Sequence, residues 1–181
     1  MNYIKKFFRG IKLILDTAFI KLKYGRAIIV HGFIRKKKTQ IYISDIARME
    51  ICDLVYFSYG CYISAVAEGE FKIGEKTFFN RNCIAVCRDN INIGENVYFG
   101  PGVTIYDHDH VFTADKGVAQ GFKTGSIVIE NNCWIGANVI ILRNTHIGEG
   151  IIIGAGTVIK GDIPAHSLVK GTRDVCITPL H

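Results

Sequence analysis

Proline is scarce in this chain, three in 181 residues, while glycine occurs nineteen times and tryptophan once. That balance argues against proline-rich linkers and low-complexity tails, and favours one ordered domain with many tight corners. No run approaches the roughly 20 uninterrupted apolar residues of a membrane-spanning helix. A secretory leader is not expected either, because Lys12, Asp16 and Lys21 interrupt the early apolar stretch and no small-residue cleavage site follows, so the expected location is the cytoplasm. The six cysteines (Cys52, Cys61, Cys83, Cys87, Cys133, Cys176) include no CxxC pair, which argues against a structural zinc site and predicts reduced core thiols. Acid is missing from the start of the chain. Residues 1–38 hold eleven Lys and Arg against the single acid Asp16, within a net charge of +6. No zinc finger or RNA-binding signature accompanies these bases, so no nucleic-acid partner is expected, and an anionic membrane surface is the partner they suggest.

What the sequence does have is a period of six. Ile129, Ile135, Ile141, Ile147, Ile153 and Ile159 follow one another without exception. Four residues after each stand Cys133, Val139, Thr145, Ile151, Thr157 and Ile163, mostly small or β-branched. Gly136, Gly148 and Gly154 follow isoleucines, and Asn138 and Asn144 stand nearby, residue types that tolerate positive φ at a corner. A helix does not generate this spacing, and neither does plain strand alternation. Three short strands and three corners per turn do, giving an all-β parallel β-helix whose isoleucines stack inside a prism.

The phase extends upstream through Met49, Val55, Cys61, Ala67, Ile73, Phe79 and Ala85, then Ile93, Phe99 and Ile105 after a slip within residues 87–90. Between Ile105 and Ile129 the inward positions fall on Val111, Gly117 and Lys123, so residues 106–126 are expected to leave the prism as an extruded loop. The expected organisation is a basic amphipathic arm over 1–40, the β-helix over 41–164 and a C-terminal cap over 165–181, laid as a final strand across the open end. Within the arm, Ile4, Phe7, Phe8, Ile11, Ile14, Leu15, Ala18, Phe19 and Leu22 form a helical stripe. It can pack on the first coil or a neighbouring subunit, or rest peripherally on the inner face of a membrane. The tract Arg35–Lys38 reads as a solvated turn.

The stretch SIVIENNCWIGANVIILRNTHIGEGIIIGAGTVIKGDIP closely resembles the hexapeptide-repeat acyltransferases, in particular the maltose, galactoside and capsule or lipopolysaccharide O-acetyltransferases. The resemblance runs from about residue 43 to 177 and is strongest from 78 to 164. It implies a left-handed prism, a homotrimer with sites in clefts between neighbours, and transfer of acetyl from acetyl-CoA, without a metal, to a saccharide hydroxyl in cell-surface polysaccharide biosynthesis. Such chemistry needs a base for the hydroxyl proton, for which histidine suits neutral pH.

In YDHDHVF, His108 and His110 alternate with Asp107 and Asp109 at the root of the excursion. A gapless match to the family's loop puts the catalytic base at His110, and a shift of two selects His108. Asp107 or Asp109 can orient the imidazole. FFNRNC maps Asn80 and Asn82 onto the family's acceptor-binding asparagines, while Cys87 stands where the family often carries an aspartate, with Arg88 beside it. Trp134, Gly136 and Ala137 resemble the segment lining the pantetheine groove, continued by Gly154, Ala155 and Lys160. Lys170 and Arg173 are further candidates for the CoA phosphates. Two other readings use the same prism: a zinc enzyme of the γ-carbonic anhydrase type, which needs a third histidine on a neighbouring coil, and a non-catalytic membrane-associated scaffold working through the basic arm.

Overall fold

The computed structural model describes residues 2–115 and 117–171. A helix, α1 (Asn2–Tyr24), precedes a left-handed parallel β-helix of about six turns. Gly25, at φ 51°, turns the chain out of α1, and Lys21 and Lys23 in the last turn complement its carbonyl end.

Each coil lays one short strand on each of three faces. On the first face Ile28–Val30, Arg48–Ile51, Glu70–Ile73, Asn90–Ile93 and Ile127–Ile129 pair in parallel, coil on coil. The second face begins at Arg35–Lys37 and Tyr56–Tyr59, and rises through Phe78–Phe79 and Tyr98–Phe99 to Trp134–Ile135 and Ile152–Ile153. The third carries Gln40–Ile43, Tyr62–Ala65, Ile84–Cys87 and Thr104–Tyr106, and the long strands Ile140–Ile147 and Val158–Ile163 each run from the third face onto the first.

The predicted isoleucine column, Ile129 to Ile159, is buried throughout, as are Cys133, Val139, Thr145, Ile151 and Thr157; Ile163 is half-buried at the end. Inside the second face Phe57, Phe79 and Phe99 stack with centroids 5.0 and 4.5 Å apart. Each large apolar side chain removed from water contributes about 1.5–3 kcal/mol, so these columns hold the rod together. Asn82, Asn96, Asn132, Asn138 and Asn144 take left-handed φ of 54–61° at corners.

Several boundaries differ from the sequence expectation. The prism starts at Ile28, so residues 28–40 belong to the first coil and not to the arm; Arg35–Lys37 is a strand on the second face, not a turn. Ala67 is a half-buried corner residue at φ 54°, because Met49 lies level with Phe71, and Ile51 with Ile73. The slip is therefore not confined to 87–90. The corner from the third face to the first holds residues 44–47 in one coil, 66–69 in the next and 88–89 in the third, and in the fourth the excursion itself. All the extra length leaves along one edge. At the far end Leu168–Val169 adds one more parallel rung to the second face instead of crossing the rod; the rest of the expected cap, 172–181, lies outside the described residues.

Candidate active site

The excursion is a β-hairpin, His108–Thr113 against Gly117–Thr124, with a bulge between His110 and Phe112. A backbone hydrogen bond from Gly125 N–H to the Asp107 carbonyl, 2.9 Å, closes its base. Asp107 explains how the hairpin is anchored. One residue past the paired Tyr106 and Val86, it takes an inward place in line with Ile43, Ala65 and Cys87, and is completely buried. Burying a carboxylate is costly unless its lone pairs are filled. Here Arg88 N–H donates to both oxygens at 2.9 Å, Asp89 N–H donates to Oδ2 at 2.8 Å, and His108 Nδ1 lies 2.9 Å from Oδ1. Burial first, and then Asp107 beside it, pushes the Cys87 thiol far up, so Cys87 stays a protonated core residue and offers no acceptor contact.

Because a carboxylate only accepts, the Asp107 contact puts the hydrogen of a neutral His108 on Nδ1 and leaves Nε2 its lone pair. The His108 ring, 13% exposed, meets Tyr106 and Phe122 edge-on at 5.7 and 5.4 Å. His110 lies against the same Phe122 ring at 4.7 Å, is exposed, and its ring nitrogens have no hydrogen-bond partner among the described residues. Over Phe122 sits the Arg88 guanidinium, Cζ 3.6 Å from the centroid. Asp109 is held from the other side by Arg143, Nε to Oδ2 at 2.6 Å. That bond holds the Asp109 carboxyl below its ordinary pKa, with Lys160 and His108 adding to the effect. Phe122, Tyr106 and Arg143 were missed in the sequence. Arg143 is 34 residues from its partner, and the only local sign of Phe122 is an aromatic in an otherwise polar segment.

Most of the remaining predicted residues stand on or beside another edge. Asn80 and Asn82 occupy the corner between the second and third faces, where Asn80 Oδ1 accepts the Arg81 N–H at 2.8 Å. Gly136 and Ala137 lie in the same corner two coils higher, and Gly154 and Ala155 one above that. A Cβ on Gly136 would stand 2.6 Å from Ala155 N and 2.7 Å from Ile153 O, so backbone is closely stacked there and the strip is narrow and smooth. Trp134 projects outward from the second face, 58% exposed. Lys160, at the end of the third face, sits on the hairpin's side. Within one chain the two groups are therefore separated by the width of the third face, roughly 15 Å for about five extended residues.

Among the described residues, the one group of three potential metal ligands is His31, Glu50 and Cys52. It lies on the first two coils away from the hairpin, with Lys72 Nζ 3.7 Å from Glu50. Among the described residues no three histidines of one chain come together.

Residues 126–161 match the bacterial transferase hexapeptide (six repeats) model. The galactoside O-acetyltransferase of Escherichia coli is 33% identical over 117 residues, covering 65% of this chain and 54% of that protein. The galactoside O-acetyltransferase of Lactococcus lactis is 35% identical over 99 residues, covering 55% and 48%. The chain thus spans about half the length of these curated relatives. Among solved structures, a hexapeptide-repeat acetyltransferase of Vibrio cholerae crystallised with acetyl-CoA shares the fold, with a TM-score of 0.56 and 24% identity over 80% of this chain and 66% of that one.

Proposed function

We propose that this chain, whose residues 126–161 match the bacterial hexapeptide-repeat transferases, transfers acetyl from acetyl-CoA to a saccharide hydroxyl. One observation carries the reading: two imidazoles pack against one Phe122 ring on the hairpin that leaves the prism, and His108 is held by a buried carboxylate. In the proposed step the acceptor oxygen attacks the thioester carbonyl as its proton passes to imidazole. The tetrahedral intermediate then collapses, the C–S bond breaks, and the same imidazolium protonates the departing thiolate. No acyl-enzyme forms.

His110 is the proposed base, on the gapless family match and its open ring nitrogens. The donor thioester reaches it along the smooth corner strip of Gly136, Ala137, Gly154 and Ala155, with Trp134 alongside, while Lys160 lies at the hairpin end of the site near Asp109. Asn80 and Asn82 face the acceptor. Because strip and hairpin lie on different edges, the complete site is assigned to a cleft between neighbouring prisms of a homotrimer. The outward ladder of Tyr98, Trp134, Ile152 and Leu168 on the second face supports such packing, being apolar and substantially exposed. The reaction is placed in the cytoplasm, in surface-polysaccharide biosynthesis. A second reading, favoured by the Asp107–His108 contact, makes His108 the base and His110 a binding residue.

Thiol release from acetyl-CoA with a panel of galactosides and glucosides separates these readings. Loss of about 10²–10⁴ in kcat for His110→Ala, with a smaller loss for His108→Ala, supports the first; the reverse order supports the second. If both variants keep full activity, the assignment of a histidine base is wrong.

A further inference from the structure

Helix α1 plugs the open edge of the first coil with one of its sides. Thr17 Oγ1 accepts the Ile34 N–H at 3.0 Å, the Tyr24 hydroxyl donates to Ile41 O at 2.5 Å, and Ile20 is buried. Leu13, Thr17, Ile20 and Tyr24 recur at three- and four-residue steps and form the docked side. At 100° per residue, Phe7, Phe8, Ile11, Ile14, Leu15, Phe19 and Leu22 centre roughly opposite. All seven are exposed, Leu22 at 86%. A helix serving only as a plug would turn this side inward.

Charge decides what covers the stripe. Lys21 flanks it on one side and Lys12 and Lys23 on the other; Lys12, Arg35, Lys36 and Lys37 also line a cleft where the helix meets the second face. Residues 1–38 carry eleven bases and one acid, so two copies meeting stripe to stripe would press like charges together. Among the described residues no helix is long and apolar enough to cross a membrane. We infer that the outward stripe of α1 and its flanking bases form a docking face for an anionic lipid bilayer, with the helix lying in the interface and the prism standing on it. The apolar side chains enter the headgroup boundary while the lysines stay at the phosphates. In this orientation the histidine hairpin stands three rungs, roughly 15 Å, beyond the first coil, within reach of a saccharide tethered to lipid. Only that corollary rests on the proposed acetyl transfer.

The test is co-sedimentation of the full chain with phosphatidylcholine vesicles, with and without phosphatidylglycerol, at low and high salt. Expected is retention on the phosphatidylglycerol vesicles only, released by salt. The double variant Leu15→Glu, Phe19→Glu should weaken it about tenfold or more, and Lys36→Gln, Lys37→Gln about fivefold per base. Leu15, Phe19 and Lys37 are exposed and Lys36 is half-buried, so circular dichroism and solution mass, both expected to be unchanged, check that each variant stays folded. No retention on either vesicle, or equal retention on both, overturns the inference. So does unchanged binding of the glutamate variant, or a fall in its solution mass, which would make a second copy the occupant. None of these readouts needs turnover, so they are independent of the acetyl-transfer reading.

Discussion

Replacing Asp107 by Asn separates the roles of the two histidines more sharply than deleting either. In the native chain one buried carboxylate accepts from the Arg88 and Asp89 amides and meets His108 Nδ1. Asparagine keeps one acceptor oxygen. If that oxygen stays with the two amides, the new NH₂ faces His108 Nδ1, which must then accept, and the ring hydrogen moves to Nε2. Hydrogen bonds to a charged group contribute about 1.5–3 kcal/mol and neutral ones about 0.5–1.5. Two such exchanges put the stability cost near 2 kcal/mol. Asp107→Ala leaves two part-buried amides without their acceptor, a loss of about 1–3 kcal/mol each where burial is complete, so it should cost at least as much as the asparagine change. Urea denaturation at fixed protein concentration reads both values, and amide hydrogen exchange at Arg88 and Asp89 reads the local loosening. The catalytic consequence is set by the tautomer. If His108 is the base, Asp107→Asn removes its lone pair, and kcat should fall on the order of 10⁴-fold, as for the orienting carboxylate of a Ser-His-Asp triad. If His110 is the base, the fall should stay under about tenfold. Stability within about 0.5 kcal/mol of the parent for both variants, with unchanged exchange at the two amides, would refute the idea that Asp107 pins the hairpin.

Two other perturbations probe the surroundings. Arg143→Met should let the Asp109 carboxyl pKa rise toward its ordinary value, followed by carboxyl-carbon NMR. The sign follows from the depression: any stability Asp109 adds is present above its unfolded-state pKa and is lost as pH falls through the lower folded value, so the variant should be less sensitive to acid there. Gly136→Ala drives a Cβ to 2.6 Å from Ala155 N; overpacking against backbone costs about 1–3 kcal/mol, visible as a melting temperature several degrees lower.

How much of this was legible in the sequence follows from the range of each interaction. The column Ile129 to Ile159 was plain because each coil there is three uninterrupted hexads, so the period survives in the linear chain. Upstream, residues 44–47 and 66–69 shift the phase at a corner, yet each keeps a buried small residue, Ala47 and Gly69, so hydropathy does not register the break. That is why Met49 and Ile73 looked like one column. The DHDH motif announced itself by composition and position, but the burial of Asp107 did not: a charged residue reads as exposed until the coil beneath supplies its amides. Arg143 was invisible for the same reason. The stripe on α1 was legible as a period, whereas its outward direction needed Thr17 and Tyr24 to be seen docking inward.

The closed base of the hairpin has a consequence for how such a rod changes over time. Gly125 and Asp107 are bonded neighbours, so the ladder on either side registers the seventeen residues 108–124 as though they had zero length. Insertions elsewhere would have to bend three stacked sheets, but here the appendage can be lengthened, reshaped or exchanged while every coil keeps its seat. The hairpin can thereby vary at a single seam without refolding the shaft.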